Sequence, residues 1–397
     1  MNSSNAQLYI KEALFMKKAI AIILSAIILC TCTACSSAGK DSSSSTSEKS
    51  SSDSSEATTE TTQPETKPET TYIADNDSLK EAFSNLESAD FSGIVYAERD
   101  GKPAAVYTGG KLYNDKEITI DTPMPIGSVS KQFCAASIMK LQEQGKLSVN
   151  DTLDKYYPEY KEAGRITLHN MLSNRSGIPN LDENTPLNEI TYEHNDKENT
   201  EILLKWVFSQ PLLFEPDSEY RYSNYNFLLL GNIVEKLSGK TYIEYLRENI
   251  LKPLGMDHTG SVDELKDSPD WAKEFSYEPS DFIPVGIMPG LCKGAGDIIS
   301  TAADMTKWLH ALPEGKVVNE ESYKAMTTDY TNTTDHYGYG LMTEMSSGIG
   351  HFGLTGHFTA CDYFCVDEKL TLFMAANTGG QSTIVNNFYT ISNALRG

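Results

Sequence analysis

Strand-like segments stand at the two ends of the folding part of this chain, and helix-like segments lie between them. Near the start, "FSGIVYAERDGKPAAVYTGG" has two apolar runs joined at Gly101, the pattern of a hairpin. Near the end, "YGYGLMTEM", "GIGHFGL", "FTACDYFCV" and "KLTLFMAANT" read as strands, and a closing helix covers about Val385–Leu395. Between them, Glu201–Phe208, Tyr225–Lys236 and Tyr242–Ile250 read as helices joined by Pro- and Gly-rich loops. The ends must therefore share one sheet, and the mostly helical middle, about 150–310, is an insertion. The expected fold class is α+β: an antiparallel sheet flanked by helices, with a helical subdomain inserted.

Not all 397 residues belong to that body. Residues 17–35, "KKAIAIILSAIILCTCTAC", place two lysines before an apolar run and small residues after it, the layout of an export signal. The run from Ala19 to Cys30 is short for a membrane span, which needs ~20 residues. Met16 directly precedes the lysines and offers an alternative start. Cys35 follows Thr33-Ala34 as in a bacterial lipobox, although Cys32 stands where leucine is usual. Lipid on Cys35 would anchor the chain to the outer face of a membrane.

Residues 36–71 are rich in Ser, Thr, Glu, Lys and Pro and contain no aromatic residue before Tyr72. Such a stretch buries too little apolar area to offset its chain entropy. It reads as a disordered tether with a span of ~35 Å. The domain proper is expected over 72–397. The chain carries a net charge of −22, and residues 1–35 hold three lysines and one glutamate, so the remainder is near −24. That balance argues against nucleic-acid binding. Four cysteines lie outside the signal: Cys134, Cys292, Cys361 and Cys365. Cys361 and Cys365 are ~13 Å apart along one strand, too far for a disulfide. Free, largely buried thiols are expected.

"PIGSVSKQF" places Ser128 three residues ahead of Lys131. The helical spacing of Phe133, Ile138, Met139 and Leu141 puts Ser128 at the N-terminus of a helix closed by Gly145 and Lys131 one turn in, on the same face. A serine hydroxyl needs a base, and a lysine serves only if its pKa falls well below ~10.4. The same pattern at Ser37 and Lys40 falls in the tether, where nothing can desolvate a lysine. A third group stands in "YRYSNYNFLLLG": Tyr222 can pass a proton and Asn224 can bind a carbonyl. Taken alone, core packing for Tyr222 and helix capping for Asn224 explain them as well.

Ser-x-x-Lys, Tyr-x-Asn and His-x-Gly in this order resemble the serine beta-lactamase and penicillin-binding protein superfamily. The resemblance is strongest to its branch of class C beta-lactamases, D-alanyl-D-alanine carboxypeptidases and related esterases. "ITLHNMLSNRSGIP", "LKPLGMDHT" and "STAADMTKWL" extend it along the chain from Phe91 onward. It implies a beta-lactamase/transpeptidase-like fold and acyl transfer at Ser128, with Lys131 and Tyr222 moving the proton. It implies that Asn224 positions substrate and that the Ser128 and Leu354 N–H groups hold the oxyanion. No metal or organic cofactor is implied. Of three His-x-Gly triplets, His351 and Gly353 match the family motif by position; His258, His336 and His357 read as surface or structural. His351, His357 and Cys361 have no recognised metal-ligand spacing.

Phe352 departs from the family pattern, where a hydroxyl residue helps hold a substrate carboxylate. The change leaves Arg175 or Lys293 as alternative carboxylate partners. The resemblance thus implies a cell-wall hydrolase similar to D-alanyl-D-alanine carboxypeptidases. A beta-lactamase or esterase of the same fold and a penicillin-binding sensor without turnover are the alternatives. Its partners would be a small peptide, ester or beta-lactam, peptidoglycan, and a membrane through the lipid.

Overall fold

The two ends of the domain meet in one sheet, as their strand patterns require. In this computed structural model the described residues are 71–396 apart from 113–114, 182–183, 192–193, 266–289, 332 and 379. The export signal, Cys35 and nearly all of the tether lie outside them. Among the described residues no helix is long and apolar enough to cross a membrane.

The strands are β1 (Thr71–Ala74), β2 (Gly93–Arg99), β3 (Lys102–Gly109), β4 (Met124–Pro125), β5 (Gly260–Ser261), β6 (Ile298–Ser300), β7 (Met342–Met345), β8 (Gly348–Thr355), β9 (Phe358–Cys365) and β10 (Leu370–Ala376). Seven form an antiparallel sheet in the order β1-β3-β2-β10-β9-β8-β7. The closure of N- on C-terminal segments is the β2–β10 pair, from Gly93↔Ala376 to Arg99↔Leu370. The β2–β3 turn is Asp100-Gly101, both at positive φ, as a two-residue hairpin of this twist demands.

The main helices are α1 (Asp77–Ser88), α2 (Lys131–Glu143), α3 (Leu168–Leu172), α4 (Asp196–Ser209), α5 (Asn224–Ser238), α6 (Tyr242–Leu246), α7 (Ala302–Ala311), α8 (Glu320–Met326) and α9 (Gln381–Arg396). The sheet is covered on both faces. Successive strand residues face opposite sides. On β10, Leu372 and Met374 join Leu79, Phe83 and Phe388 under α1 and α9. Phe373 and Ala375 face the larger core of α2, α5 and α7, with Phe133, Leu229 and Trp308. Burying a side chain such as Phe388 contributes about 2–3 kcal/mol.

α2 is buried almost all round, from Lys131 to Leu141, because it lies between sheet and inserted subdomain. The insertion also contributes β5 and β6, which pair with β4 in a small second sheet absent from the sequence expectation. β1 and α1 were not anticipated either. Asn76 starts α1 by accepting from Leu79 N–H, and its amide donates to Ala394 O of α9.

One expected strand is shorter than its sequence pattern suggests. Of "YGYGLMTEM", only Met342–Met345 is strand. Tyr337 to Gly340 cross α2 instead: Gly340 has φ +69, and a Cβ there would lie 2.6 Å from Lys131 O. The four cysteines outside the signal are free, and Cys134, Cys361 and Cys365 are buried.

Candidate active site

Ser128 lies in a 3₁₀ turn, Gly127–Ser130, that runs directly into α2. Its side chain is partly exposed, so a substrate can reach it. Beside the turn runs β8. β7 covers β8 only up to Gly350, which leaves His351 to Thr355 as a free edge against the serine turn. Two glycines make that contact a backbone one. A Cβ on Gly127 (φ +51) would meet Leu354 N at 2.7 Å. A Cβ on Gly353 would meet Ile126 O at 2.0 Å and Ser128 N at 3.2 Å. The amides of Ser128 and Leu354 therefore border one narrow seam.

Lys131 is completely buried. Its Nζ reaches Ser128 Oγ at 3.0 Å, Asn224 Oδ1 at 2.8 Å and Ala295 O at 2.6 Å. Burial lowers its pKa to about 7, against the opposing influence of Cys292, Cys134 and Asp297. The Nζ also lies 4.8 Å from the Tyr222 ring centroid. The Tyr222 ring is partly exposed, but its hydroxyl is enclosed and faces Ser128 without a hydrogen bond of full geometry among the described residues. Burial pushes that phenol well above its ordinary pKa, and Ser128 works against the rise.

Asn224 is the first residue of α5, and its side chain caps nothing; Ser223 stands at the cap position, itself without a side-chain cap bond. The Asn224 backbone N–H donates to Asn180 Oδ1 at 2.9 Å, and Ser223 N–H donates to Asn174 Oδ1 at 3.1 Å. Both amides thus fix the start of α5 and leave the Asn224 side chain for Lys131.

His351 lies on the edge of β8, buried, with its ring 6.1 Å from that of Tyr222. Its Nδ1–H donates to Phe352 O, so Nε2 is left to accept the Tyr337 hydroxyl at 3.0 Å. Burial and the nearby Lys131 push its pKa down to about 3, so the ring is neutral at working pH. Phe352 points to the other face of the sheet. Its ring meets Phe388 of α9 edge-on at 5.4 Å.

Neither cation named for carboxylate binding is available. Arg175 is held by Asp217 at 2.8 Å and by the carbonyls of Tyr330 and Asp217. Lys293 is held by Asp196, by Glu235 at 2.9 Å and by Asn232. His336 pairs with Asp329 at 2.9 Å, away from the triplet on β8. Among the described residues no group of three His, Cys, Asp or Glu could hold a metal ion.

Sequence reasoning missed a buried network behind the serine turn. Gln132 donates its amide to both Asp362 oxygens at 2.7 Å and accepts from Trp308 Nε1 at 2.9 Å. Asp362 Oδ1 also accepts from His351 N–H at 2.8 Å. The network ties α2, α7 and β8 to β9. A charged residue in the apolar run "FTACDYFCV" was its only visible sign.

An α+β domain that presents a reachable serine to a buried lysine defines the serine hydrolase class. The beta-lactamase family model matches residues 86–394, and the chain belongs to that family. The penicillin-binding protein PbpX of Bacillus subtilis (strain 168) is 29% identical over 310 residues, 76% of this chain and 75% of that protein. The teichoic acid D-alanine hydrolase of Staphylococcus aureus (strain MRSA252) is 24% identical over 337 residues, 80% of this chain and 78% of that protein. Among solved structures, FmtA from Staphylococcus aureus matches with a TM-score of 0.69 at 21% identity, covering 83% of this chain and 90% of FmtA. The D-amino acid amidase from Ochrobactrum anthropi SV3 matches with a TM-score of 0.68 at 20% identity, covering 81% and 98%.

Proposed function

We propose that Ser128 is the nucleophile of an acyl-enzyme mechanism acting on D-alanyl groups of the cell wall. The observation that carries this reading is the buried Lys131 amine, 3.0 Å from Ser128 Oγ and brought to a pKa of about 7. Ser128 attacks a carbonyl carbon and its proton passes to Lys131. The Ser128 and Leu354 N–H groups receive the oxyanion. Tyr222, whose ring lies beside Lys131 and whose hydroxyl faces Ser128, relays the proton to the departing oxygen or nitrogen. Water then attacks the acyl-serine by the same route and restores the hydroxyl. Asn224 orients both Lys131 and the substrate.

The acyl donor is a D-alanyl peptide or a D-alanyl ester. The ester is favoured: Phe352 turns away from the site, and Arg175 and Lys293 are engaged elsewhere. A terminal carboxylate would find none of the partners named for it. Relatives described as a penicillin-binding protein and a teichoic acid D-alanine hydrolase support a cell-wall substrate. The signal-like 17–35 and the tether composition support a site outside the membrane, anchored through lipid on Cys35.

The test uses p-nitrophenyl acetate and a fluorescent penicillin on the protein and its Ser128→Ala variant. Turnover and labelling are expected to vanish together in the variant. Persistence of both would remove Ser128 from the mechanism. Stable penicillin labelling without any ester or peptide turnover would mean a sensor.

A further inference from the structure

Lys131 gives one N–H to the carbonyl of Ala295, the shortest of its three contacts. That carbonyl belongs to the loop 290–297, which folds tightly on itself. Ala295 and Gly296 both donate to Cys292 O, at 2.7 and 2.8 Å. The loop lies flush on α2 and α5: a Cβ on Gly294 would be 2.9 Å from Phe227 O and 3.0 Å from Cys134 Sγ.

Lys293 pins this loop from within. Its side chain is only 5% exposed. The stem crosses α5 at Gly231, where a Cβ would lie 3.2 Å from Lys293 Cγ. Glycine weakens the middle of a helix, and here its missing side chain opens the path. The ammonium then meets Glu235 Oε2 at 2.9 Å, Asn232 Oδ1 at 3.3 Å and Asp196. These anchors sit on α4 and α5. Burial opposes the charge, but Asp196 and Glu235 outweigh it and hold the ammonium above its ordinary range.

We propose that Lys293 is a positioning residue: its buried ion pairs hold the Ala295 carbonyl against Lys131 and thereby aim the Lys131 amine at Ser128. The proposal rests on the reading of Ser128 as nucleophile and Lys131 as base. A neutral amine has two N–H groups and one lone pair. Asn224 Oδ1 and Ala295 O take the two N–H groups. The lone pair is then left for the Ser128 hydroxyl proton. Without Ala295 O, an N–H can turn to Ser128 Oγ and the lone pair turns away. Tyr222, Phe227, His351 and Cys134 also bear on Lys131 from outside the loop, and Cys292 and Asp297 bear on it from within the loop.

The experiment is Lys293→Met in the full chain, followed by p-nitrophenyl acetate hydrolysis across pH, penicillin acylation rate and Tm. The catalytic rate is expected to fall by at least ~10-fold with KM little changed, as for a misdirected general base. The acid limb of the profile is expected to move up by about one pH unit or more, because a released loop lets water reach Lys131. Glu235→Gln keeps the lysine stem and weakens the anchor; it should move both readouts the same way by less. Arg247→Met breaks the exposed Arg247–Glu264 pair and should keep the original rate and profile. An unmoved rate and acid limb in Lys293→Met overturns the proposal. The same result in Glu235→Gln overturns it should Lys293→Met fail to fold. Absence of Ser128-dependent turnover in the unmodified protein would instead refute the nucleophile reading.

Discussion

Replacing Gly353 with alanine tests the seam between the serine turn and β8. The added Cβ would start 2.0 Å from Ile126 O, and ordinary contact begins at 3.4 Å, so about 1.4 Å must be found. The atom it meets is backbone, which no side-chain rotation can move aside. β8 or the serine turn must shift as a body, carrying Leu354 N–H or Ser128 N–H with it. A misplacement of ~1 Å costs roughly 100-fold in rate. Loss of one oxyanion donor costs a similar ~10²–10³-fold. Gly353→Ala should therefore lower kcat/KM for p-nitrophenyl acetate on the order of 100-fold, about 2.7 kcal/mol of transition-state stabilisation. Overpacking should cost only about 1–3 kcal/mol of stability, so the variant should still fold. Gly380→Ala, where a Cβ meets nothing within 4 Å, is the matched control. Tm and circular dichroism establish folding before rates are compared. A folded Gly353→Ala protein within threefold of the original rate would refute the reasoning, since the oxyanion could not then depend on this seam.

Two further outcomes follow from the same geometry. Phe352→Thr should lower stability by roughly 1–3 kcal/mol through lost packing of a half-buried ring on Phe388, read by chemical denaturation. It should not raise penicillin hydrolysis, because position 352 faces α9; a gain in hydrolysis would contradict that orientation. Asp362 is buried and its pKa is raised to about 7 by burial, against the donors Gln132 and His351 N–H. A raised folded pKa means stability present below the unfolded value of ~3.9 that is lost as pH rises through about 7. Asn cannot titrate, so the Tm of Asp362→Asn relative to the original should improve between pH 5 and pH 8. A difference independent of pH would show that Asp362 does not titrate in this range.

Much of this molecule was legible in the sequence because its signals are local. The Asp100-Gly101 turn, the apolar runs of β8 to β10 and the start of α5 each declare themselves within a dozen residues. The order Ser128, Tyr222, His351 carried the family resemblance. The Tyr337–Gly340 segment misled because a Tyr-Gly alternation looks like a strand, while the backbone there must pass close over Lys131 O. α1 lay just beyond a boundary set by composition, although Asn76 caps it as a local rule would have it.

What sequence alone determined is most strands of the main sheet, several of the helices, the class of fold and the candidates for the chemistry, since periodicity and motif order are properties of neighbours along a chain. Only the tertiary structure decided how those residues are used. Gln132 and Asp362 are 230 positions apart, and Ala295 reaches Lys131 across 164. No local pattern records such contacts. The side to which Phe352 turns depends on the register of β8 against β9, where a one-residue slip exchanges the faces. Arg175 and Lys293 were cations in the sequence; the fold supplied the carboxylates that engage them.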